Sequence, residues 1–331
     1  MWLVPHCRLL YKMEVIGLRK RDKKRWFAFF ALLIVAIVLY TIYDNNRFII
    51  TKQEIYLENL PEEFDGYQIL QISDLHGKSF GEGQSKLLAA VNSIDYDCML
   101  LTGDMNQYED SSIASSQAVL DLLSGLETET MIIWVDGNAG PFAAESTDGI
   151  YTGELTEIGQ KLSELGVTVL LEPVEICRNG ESIWFVPELS LAEIEMNYPV
   201  EDAYGQLLLS WYDILNGNGD VKIRVNHYPI QANLTEETWD VLGYLDYDLS
   251  IAGHYHGGQI RLPFFGALYI PCPTAGINGY FPKQSEVKGL NQIINMQQYI
   301  SAGLGSSGSV SFLNFRLFNT PEINVITLRC G

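Results

Sequence analysis

The chain has 331 residues, of which 47% are hydrophobic and 11% aromatic, and this composition excludes a disordered protein. It contains 21 basic and 41 acidic residues, and after residue 25 the balance is 13 basic against 39 acidic. Such an acidic chain disfavours nonspecific binding to nucleic acid or anionic membranes, so no nucleic-acid partner is expected. A phosphate substrate stays compatible with it, because bound divalent cations reverse the local charge.

The N-terminus predicts a membrane anchor. Residues 26–43 carry no charge and would span roughly 27 Å as a helix, close to the ~30 Å hydrocarbon core of a bilayer. Six of the seven residues at 19–25 are basic, and the positive-inside rule places such a cluster in the cytoplasm. We therefore expect a basic cytoplasmic segment at 1–25, a single-pass transmembrane signal anchor at 26–43 in the cell membrane, and an extracytoplasmic domain at 48–331.

Two alternatives compete with an anchor. A cleaved signal peptide needs a cleavage site of the Ala-x-Ala type, and residues 43–47 (Tyr-Asp-Asn-Asn-Arg) contain none. A buried core helix would not carry a dense basic cluster at one end. Met13 is an alternative start of the chain, because residues 1–12 contain no interpretable feature.

Strand and helix patterns alternate in the first half of the remaining chain. Short apolar runs predict strands at 67–73, 98–102 and 131–135, and helical patterns cover 83–94 and about 112–125. Short apolar runs separated by helices are typical of a mainly parallel, buried sheet.

The second half has a different pattern. Arg178-Asn179-Gly180-Glu181 is a plausible hairpin turn between two strand-like runs. Further apolar runs, with little helix between the late ones, lie at 221–225, 249–252, 299–301 and 324–328. We expect two sheets that face each other, with helices outside.

Metal-binding residue types follow the ends of these strands. Four of the five histidines take part, and the set comprises Asp74, His76, Asp104, Asn138, His227, His254 and His256. Ligands bind at this edge of open α/β sheets. Carboxylate, amide and imidazole groups suit hard divalent ions. A carboxylate such as Asp104 can bridge two metals ~3.5–4 Å apart, as in-line attack on phosphorus requires.

The order of these residues resembles the calcineurin-like metallophosphoesterase superfamily, most specifically in the run Gly253-His254-Tyr255-His256-Gly257-Gly258-Gln259. The chain is most similar to the bacterial membrane-associated branch of this superfamily at Gly253–Pro263, Phe265–Tyr269, Gly303–Gly305 and Pro321–Ile323. The resemblance as a whole covers roughly residues 50 to 330. The resemblance implies a four-layer αββα sandwich, an α/β fold, that holds two divalent metal ions (Mn, Fe or Zn).

The resemblance also implies a role for each residue. The first metal would be held by Asp74, His76, Asp104 and His256. The second would be held by Asp104, Asn138, His227 and His254. A metal-bridging hydroxide would then attack a phosphomonoester or phosphodiester. The expected substrate is a phosphorylated small molecule or a lipid-linked phosphate, and the N-terminal helix would bind the membrane.

Two positions depart from the family pattern. Ala139 stands where the family has a histidine that faces the substrate, and no other histidine after residue 6 is left to replace it. Ala302 stands where an arginine is expected. The sequence therefore predicts a metal-dependent phosphoric ester hydrolase that is impaired or specialised, with no certain catalytic side chain. The alternative is a catalytically weak, metal-binding pseudoenzyme that binds phosphorylated ligands.

Overall fold

The computed structural model describes residues 5–274, 276–308 and 311–331. Residues 1–4 of the predicted cytoplasmic segment lie outside this part. The described residues form seven α-helices and sixteen strands: α1 Pro5–Asn45, β1 Ile49–Leu57, β2 Gln68–Ile72, α2 Ser85–Val91, β3 Cys98–Thr102, α3 Gln117–Ser124, β4 Met131–Val135, β5 Ala144–Thr147, β6 Ile150–Leu155, α4 Glu157–Glu164, β7 Val167–Val169, β8 Val174–Arg178, β9 Glu181–Val186, α5 Leu191–Asn197, α6 Ala203–Leu215, β10 Val221–Val225, α7 Glu236–Leu242, β11 Leu249–Ala252, β12 Ile260–Leu262, β13 Gly266–Tyr269, β14 Gly289–Ile293, β15 Met296–Ile300 and β16 Glu322–Cys330.

The chain divides into two compact units, with the boundary between Asp44 and Asn45. The first unit consists of α1. Within α1, Lys23–Asn45 is long and apolar enough to cross a membrane, and it is the one such helix among the described residues. A membrane anchor and a signal sequence both have these properties, and a helix that passes through the basic cluster is compatible with either.

The second unit is built on two six-stranded sheets. The first sheet has the order β1-β16-β2-β3-β4-β7, in which only the β16–β2 pair is antiparallel. The second has the order β14-β15-β11-β10-β9-β8, with a parallel centre and an antiparallel strand at each edge. Two small hairpins, β5–β6 and β12–β13, stand outside these sheets.

The two sheets pack face to face, and helices cover their outer faces. Buried residues of both sheets form one shared core, which includes Leu100 of the first sheet and Phe185 of the second. The outer face of the first sheet packs on α2, α3 and α4. The outer face of the second packs on α5, α6 and α7. The expected four-layer αββα sandwich is confirmed.

The strand β3 shows how the sequence produces this layering. Cys98 and Leu100 lie in the core between the sheets, whereas Met99 and Leu101 lie in the core beneath the helices. Successive side chains of a strand point to opposite faces, so a strand between two cores must be apolar at every position. This is why such strands are readable as uninterrupted apolar runs.

The elements predicted from the sequence are present, although several others, such as the β5–β6 and β12–β13 hairpins, were not predicted. The strands predicted at 98–102, 131–135, 221–225 and 249–252 have these same bounds. The helix expected over about 112–125 is shorter, because residues 112–116 form a turn held by serine hydroxyls. The sequence analysis also did not predict β1, a nine-residue edge strand paired with β16.

Candidate metal centre

The seven predicted site residues come together at one edge of the sandwich. Asp74 and His76 follow β2, Asp104 follows β3, and Asn138 follows β4 in the first sheet. His227 follows β10, while His254 and His256 follow β11 in the second sheet. Because these strands are parallel neighbours within each sheet, their carboxyl ends meet, and the facing sheets bring the two groups of residues together.

The backbone turns sharply at these strand ends. Five of the site residues have a left-handed backbone conformation, with φ of 52° at Asp74, 50° at His76, 55° at Asp104, 74° at His254 and 51° at His256. This conformation is uncommon for residues other than glycine and costs of order 1–3 kcal/mol at each position. The fold tolerates that cost here because it directs the side chains into one small volume.

The first donor cluster joins residues of both sheets. Ligand atoms of Asp74, His76, Asp104 and His256 lie within 4.8 Å of one another, and all four residues are buried. The Nε2 atoms of His76 and His256 are 3.3 Å apart. Oδ1 of Asp74 lies 3.7 Å from Nε2 of His256. The hydroxyl of Ser73 donates to Oδ2 of Asp74 at 2.5 Å and fixes the orientation of that carboxylate.

The second donor cluster contains Asp104, His227 and His254, again within 4.8 Å and buried. Nδ1 of His254 lies 3.0 Å from Nε2 of His227. The amide oxygen of Asn138 is 3.2 Å from the same Nε2. On the other side of its ring, His227 donates from Nδ1 to the carbonyl of Thr102 at 2.9 Å. That hydrogen bond directs Nε2 toward the centre of the cluster.

Asp104 belongs to both clusters through a single atom. Its Oδ2 lies 3.6 Å from Nε2 of His76 and 3.4 Å from Nε2 of His227. Its Oδ1 instead accepts a hydrogen bond from the backbone N–H of Ala139 at 2.6 Å. The carboxylate is therefore held with one oxygen placed between the two clusters.

The pKa values separate neutral from charged groups. Burial lowers the pKa of His76 to about 4 and that of His254 to about 3, and it also lowers the pKa of His256. Burial opposes the shifts of the remaining pair, but their mutual attraction overrides it: the pKa of Asp104 falls to about 2 and that of His227 rises to about 9. Most of the imidazoles thus have a free lone pair at neutral pH.

This arrangement fits bound metal ions better than it fits a purely structural cluster. The Nε2 atoms of the two neutral rings His76 and His256 lie 3.3 Å apart, and the Nδ1 atoms of these rings are buried with no hydrogen-bond partner among the described residues. Buried polar groups without partners are costly. Neutral imidazoles combined with carboxylates and an amide oxygen are the ligands that divalent cations prefer.

Glycine at two positions permits this close packing. A Cβ atom on Gly137 would lie 2.1 Å from Oδ1 of Asp104, and one on Gly253 would lie 2.0 Å from the hydroxyl of Ser73 and 2.5 Å from Oδ2 of Asp74. No side chain fits at such distances, so glycine lets neighbouring backbone approach the carboxylates of both clusters.

An open cleft of about 360 Å³ leads from solvent to the donor atoms. Its walls include His76, Asn138 and Ala139 on the inner side and Tyr108, Glu109 and Gly308 nearer the surface. Ala139 is buried and contributes only a methyl group. Position 139 therefore contributes no polar side chain to the wall of the cleft.

The structure adds polar groups that the sequence reasoning missed. Arg316 is fully buried and donates from Nε to the carbonyl of Gly305 at 2.6 Å and from Nη2 to that of Ala302. Its charge contributes to the low pKa of both His76 and His256. No local pattern around residue 316 indicates this role, since His76, whose pKa Arg316 helps to lower, lies 240 residues earlier in the chain. Ser73 was detectable, because it directly precedes Asp74.

Two buried carboxylate–imidazole clusters that share one aspartate, at the carboxyl edge of a four-layer αββα sandwich, define a metal-dependent phosphoesterase. Residues 67–258, more than half of the chain, match the sequence model of the calcineurin-like phosphoesterase family. The chain belongs to this family.

The chain also resembles individual proteins. It is 26% identical over 286 residues to a protein named "Uncharacterized metallophosphoesterase YkuE" from Bacillus subtilis (strain 168), covering 84% of this chain and 85% of that one. A putative 5'-nucleotidase structure from Staphylococcus aureus aligns with a TM-score of 0.39 and 10% identity over 80% of this chain, which spans 55% of the nucleotidase chain. A dimetal phosphatase from Danio rerio aligns with a TM-score of 0.35 and 11% identity, over 72% and 88% of the two chains.

Proposed function

We propose that the protein is a membrane-anchored, dinuclear-metal phosphoesterase that hydrolyses a phosphomonoester or phosphodiester on the extracytoplasmic side. The observation that supports this most strongly is the position of Asp104 Oδ2, which lies 3.6 and 3.4 Å from imidazole nitrogens of the two clusters. A shared carboxylate oxygen is what two adjacent cations require.

The proposed ligand sets follow the two clusters. Asp74, His76, Asp104 and His256 would hold one ion. Asp104, Asn138, His227 and His254 would hold the other. Mn, Fe or Zn suits this mixture of oxygen and nitrogen donors.

Bound divalent cations supply positive charge for phosphate oxygens and lower the pKa of water into the neutral range. The side chains of this chain do the rest. Ser73 and the backbone N–H of His254 orient the Asp74 carboxylate. Thr102 fixes the ring of His227. Ala139 can neither donate a proton nor accept one, so the leaving group receives no help from that position, and esters with good leaving groups react best.

The N-terminal helix supports the membrane part of the proposal. Lys23–Asn45 is long and apolar enough to span a bilayer, and the basic residues that precede the apolar run favour a cytoplasmic N-terminus by the positive-inside rule. The second unit then lies outside, where a lipid-linked phosphate or a phosphorylated small molecule can reach the cleft.

The test combines metal content with turnover in the detergent-purified full chain. After loading with Mn, we expect about two ions per chain and hydrolysis of an aryl phosphodiester. His76→Ala and His227→Ala each remove a ligand of one cluster and should each lower the metal content by about one ion, with loss of turnover. Lys161→Ala, on the exposed side of α4, is the control and should change neither quantity.

A pseudoenzyme that binds phosphorylated ligands is the second candidate, and Ala139 is the residue that favours it. In that case the parent holds the metals but does not hydrolyse even the best leaving group. A chain that takes up no metal after loading would contradict both functions.

A further inference from the structure

Among the described residues of the second unit, four exposed aromatic side chains lie on the β12–β13 hairpin and the segment that pairs with it. Phe264 is fully exposed, Phe265 and Phe281 are 76% and 75% exposed, and Tyr280 is 66% exposed. We call these four residues the aromatic patch. Each ring offers ~150–250 Å² of surface, so together they exceed the few hundred Å² that a soluble surface usually leaves open without a function.

The patch is part of an ordered structure and not of a loose loop. Phe264 and Phe265 form the tip of the β12–β13 hairpin. The following segment returns along β13, where Tyr280 pairs with Tyr269 and the N–H of Phe281 donates to the carbonyl of Leu268 at 2.9 Å. The backbone pairing therefore places the two pairs of exposed rings on one paired segment.

The patch lies near the point at which the chain enters the second unit. Asn45, the first residue of that unit, donates from its side chain to the carbonyl of Arg316 at 2.7 Å and accepts from the N–H of Arg316 at 2.8 Å. The next residue, Leu317, pairs with β12 through Ile260. Arg316, the hydrogen-bond partner of Asn45, is separated from the hairpin tip by one strand spacing and about four residues of extended chain. This distance is roughly 15–20 Å.

Basic side chains lie near Asn45 and along the segments that carry the patch. Arg47 donates to Thr320, and Lys78 donates to the carbonyl of Asn45. Arg261 lies in β12. Lys283 follows the patch and pairs with Glu286 at 2.7 Å. These are four of the 13 basic residues after position 25. Aromatic rings flanked by cationic groups are typical of the membrane–water interface.

We propose that the aromatic patch docks on the bilayer that the N-terminal helix anchors, with its rings at the boundary between headgroups and acyl chains. The docking rests on the proposed membrane anchoring. It also bears on the substrate, because Gln259 at the root of the hairpin accepts from the N–H of Ser307 in the wall of the cleft. A docked hairpin keeps the cleft beside the lipid headgroups, so phosphate esters carried by membrane amphiphiles reach it directly.

The test uses the full chain reconstituted in phosphatidylcholine vesicles whose lipids are brominated near the top of the acyl chain. Bromine quenches tryptophan fluorescence only at short range. Phe265→Trp and Met196→Trp are compared, after subtraction of the parent spectrum. The two positions are equally exposed, at 76% and 77%, but Met196 lies on α5. We expect about twofold quenching at position 265 and none at position 196.

If the chain stays with the vesicles but tryptophan is quenched equally weakly at positions 265 and 196, the aromatic patch does not dock on the bilayer. A chain that alkaline carbonate extracts from the vesicles would show instead that the anchoring is wrong. Phe264→Ser combined with Phe265→Ser provides a second readout that needs no probe in the patch. It should lower turnover of a vesicle-borne phosphodiester severalfold and leave a soluble aryl ester unaffected; a parallel fall on both substrates would count against docking.

Discussion

At the scale of single residues, Oδ2 of Asp104 lies between Nε2 of His76 and Nε2 of His227. Replacing the Asp104 carboxylate with the neutral amide of asparagine keeps the shape of the side chain but removes the negative charge that two cations would share. We expect Asp104→Asn to lower the content of both metals and to abolish turnover, as measured by elemental analysis and ester hydrolysis. Asp110→Asn, six residues along the same loop and exposed, is the control. Full metal content in Asp104→Asn would exclude a bridging role.

Gly137 offers a steric test of the same carboxylate. An added methyl group would lie 2.1 Å from Oδ1 and 2.5 Å from the backbone N of Asp104. Gly137→Ala must therefore displace the carboxylate, and we expect lower metal affinity together with a loss of roughly 1–3 kcal/mol in the free energy of unfolding. Gly219→Ala meets no atom within 4 Å and should leave metal affinity unchanged. Thermal unfolding with and without added Mn measures both effects.

Ala139 leaves room for a small external donor. The cleft beside it has a volume of about 360 Å³, which accommodates imidazole. We expect imidazole in solution to accelerate hydrolysis by the parent, and Ala139→His to raise the rate toward the ~10²–10⁴-fold that a general acid contributes. The Ala139→His variant should then be insensitive to imidazole. If neither change affects an ester with a poor leaving group, position 139 does not limit the reaction.

At the scale of secondary-structure elements, Glu322 connects three segments. Its carboxylate accepts from Lys288 at 3.0 Å, from the N–H of Ala302 at 3.2 Å and from Thr51 of β1 at 3.2 Å. Burial alone would raise the pKa of Glu322, but Lys288 and the hydrogen bonds lower it. The charged Glu322 carboxylate therefore makes its full contribution to the free energy of unfolding above the pKa of the unfolded state, near 4.5. This contribution is lost as the pH falls through the lower pKa of the folded state.

Glu322→Gln should accordingly reduce the free energy of unfolding at pH 7 by about 1–3 kcal/mol. The difference in the free energy of unfolding between this variant and the parent should shrink below pH 4.5, as the Glu322 carboxylate of the parent becomes protonated. Thermal unfolding across the pH range measures this. Glu286→Gln breaks a more exposed pair with Lys283 and is the control, with little expected change. A pH-independent difference would show that shape, and not charge, makes Glu322 important.

The elements also show what the sequence could predict. The strands β3, β4, β10 and β11 were readable because both of their faces are buried, which demands a continuous apolar run. The strand β1 was not, because it lies at a sheet edge, none of its first six residues is buried, four polar residues (51–54) interrupt its apolar run, and it pairs with β16 from the opposite end of the chain. Long-range pairing leaves no local pattern.

The site follows the same logic. The convergence of its seven residues was predictable because metal-binding residue types directly follow readable strands, and parallel neighbours must end at one edge. Their left-handed backbone was not, since no glycine or turn pattern indicates it at residues such as Asp74 and His254. Arg316 was not either, because only the folded chain brings it beside residues 302–305.

At the scale of the whole molecule, the proposed orientation places the second unit outside the cell. Its exposed thiols test this directly, because Cys177 and Cys330 are exposed whereas Cys98 is buried. A membrane-impermeant maleimide should label the full chain in intact cells, and Cys177→Ser combined with Cys330→Ser should remove most of that labelling. Labelling that appears only after the cells are permeabilised would place the domain in the cytoplasm.

The same labelled protein separates an anchor from a cleaved signal sequence. An anchor keeps Lys23–Asn45 on the chain, so the labelled species should have the full mass and stay with the membrane at alkaline pH. A cleaved signal would give a shorter, soluble species that still reacts with the maleimide. Since both alternatives put the thiols outside, only the mass and the membrane retention distinguish them. Retention of the full-length chain is also the condition under which the aromatic patch can meet a bilayer.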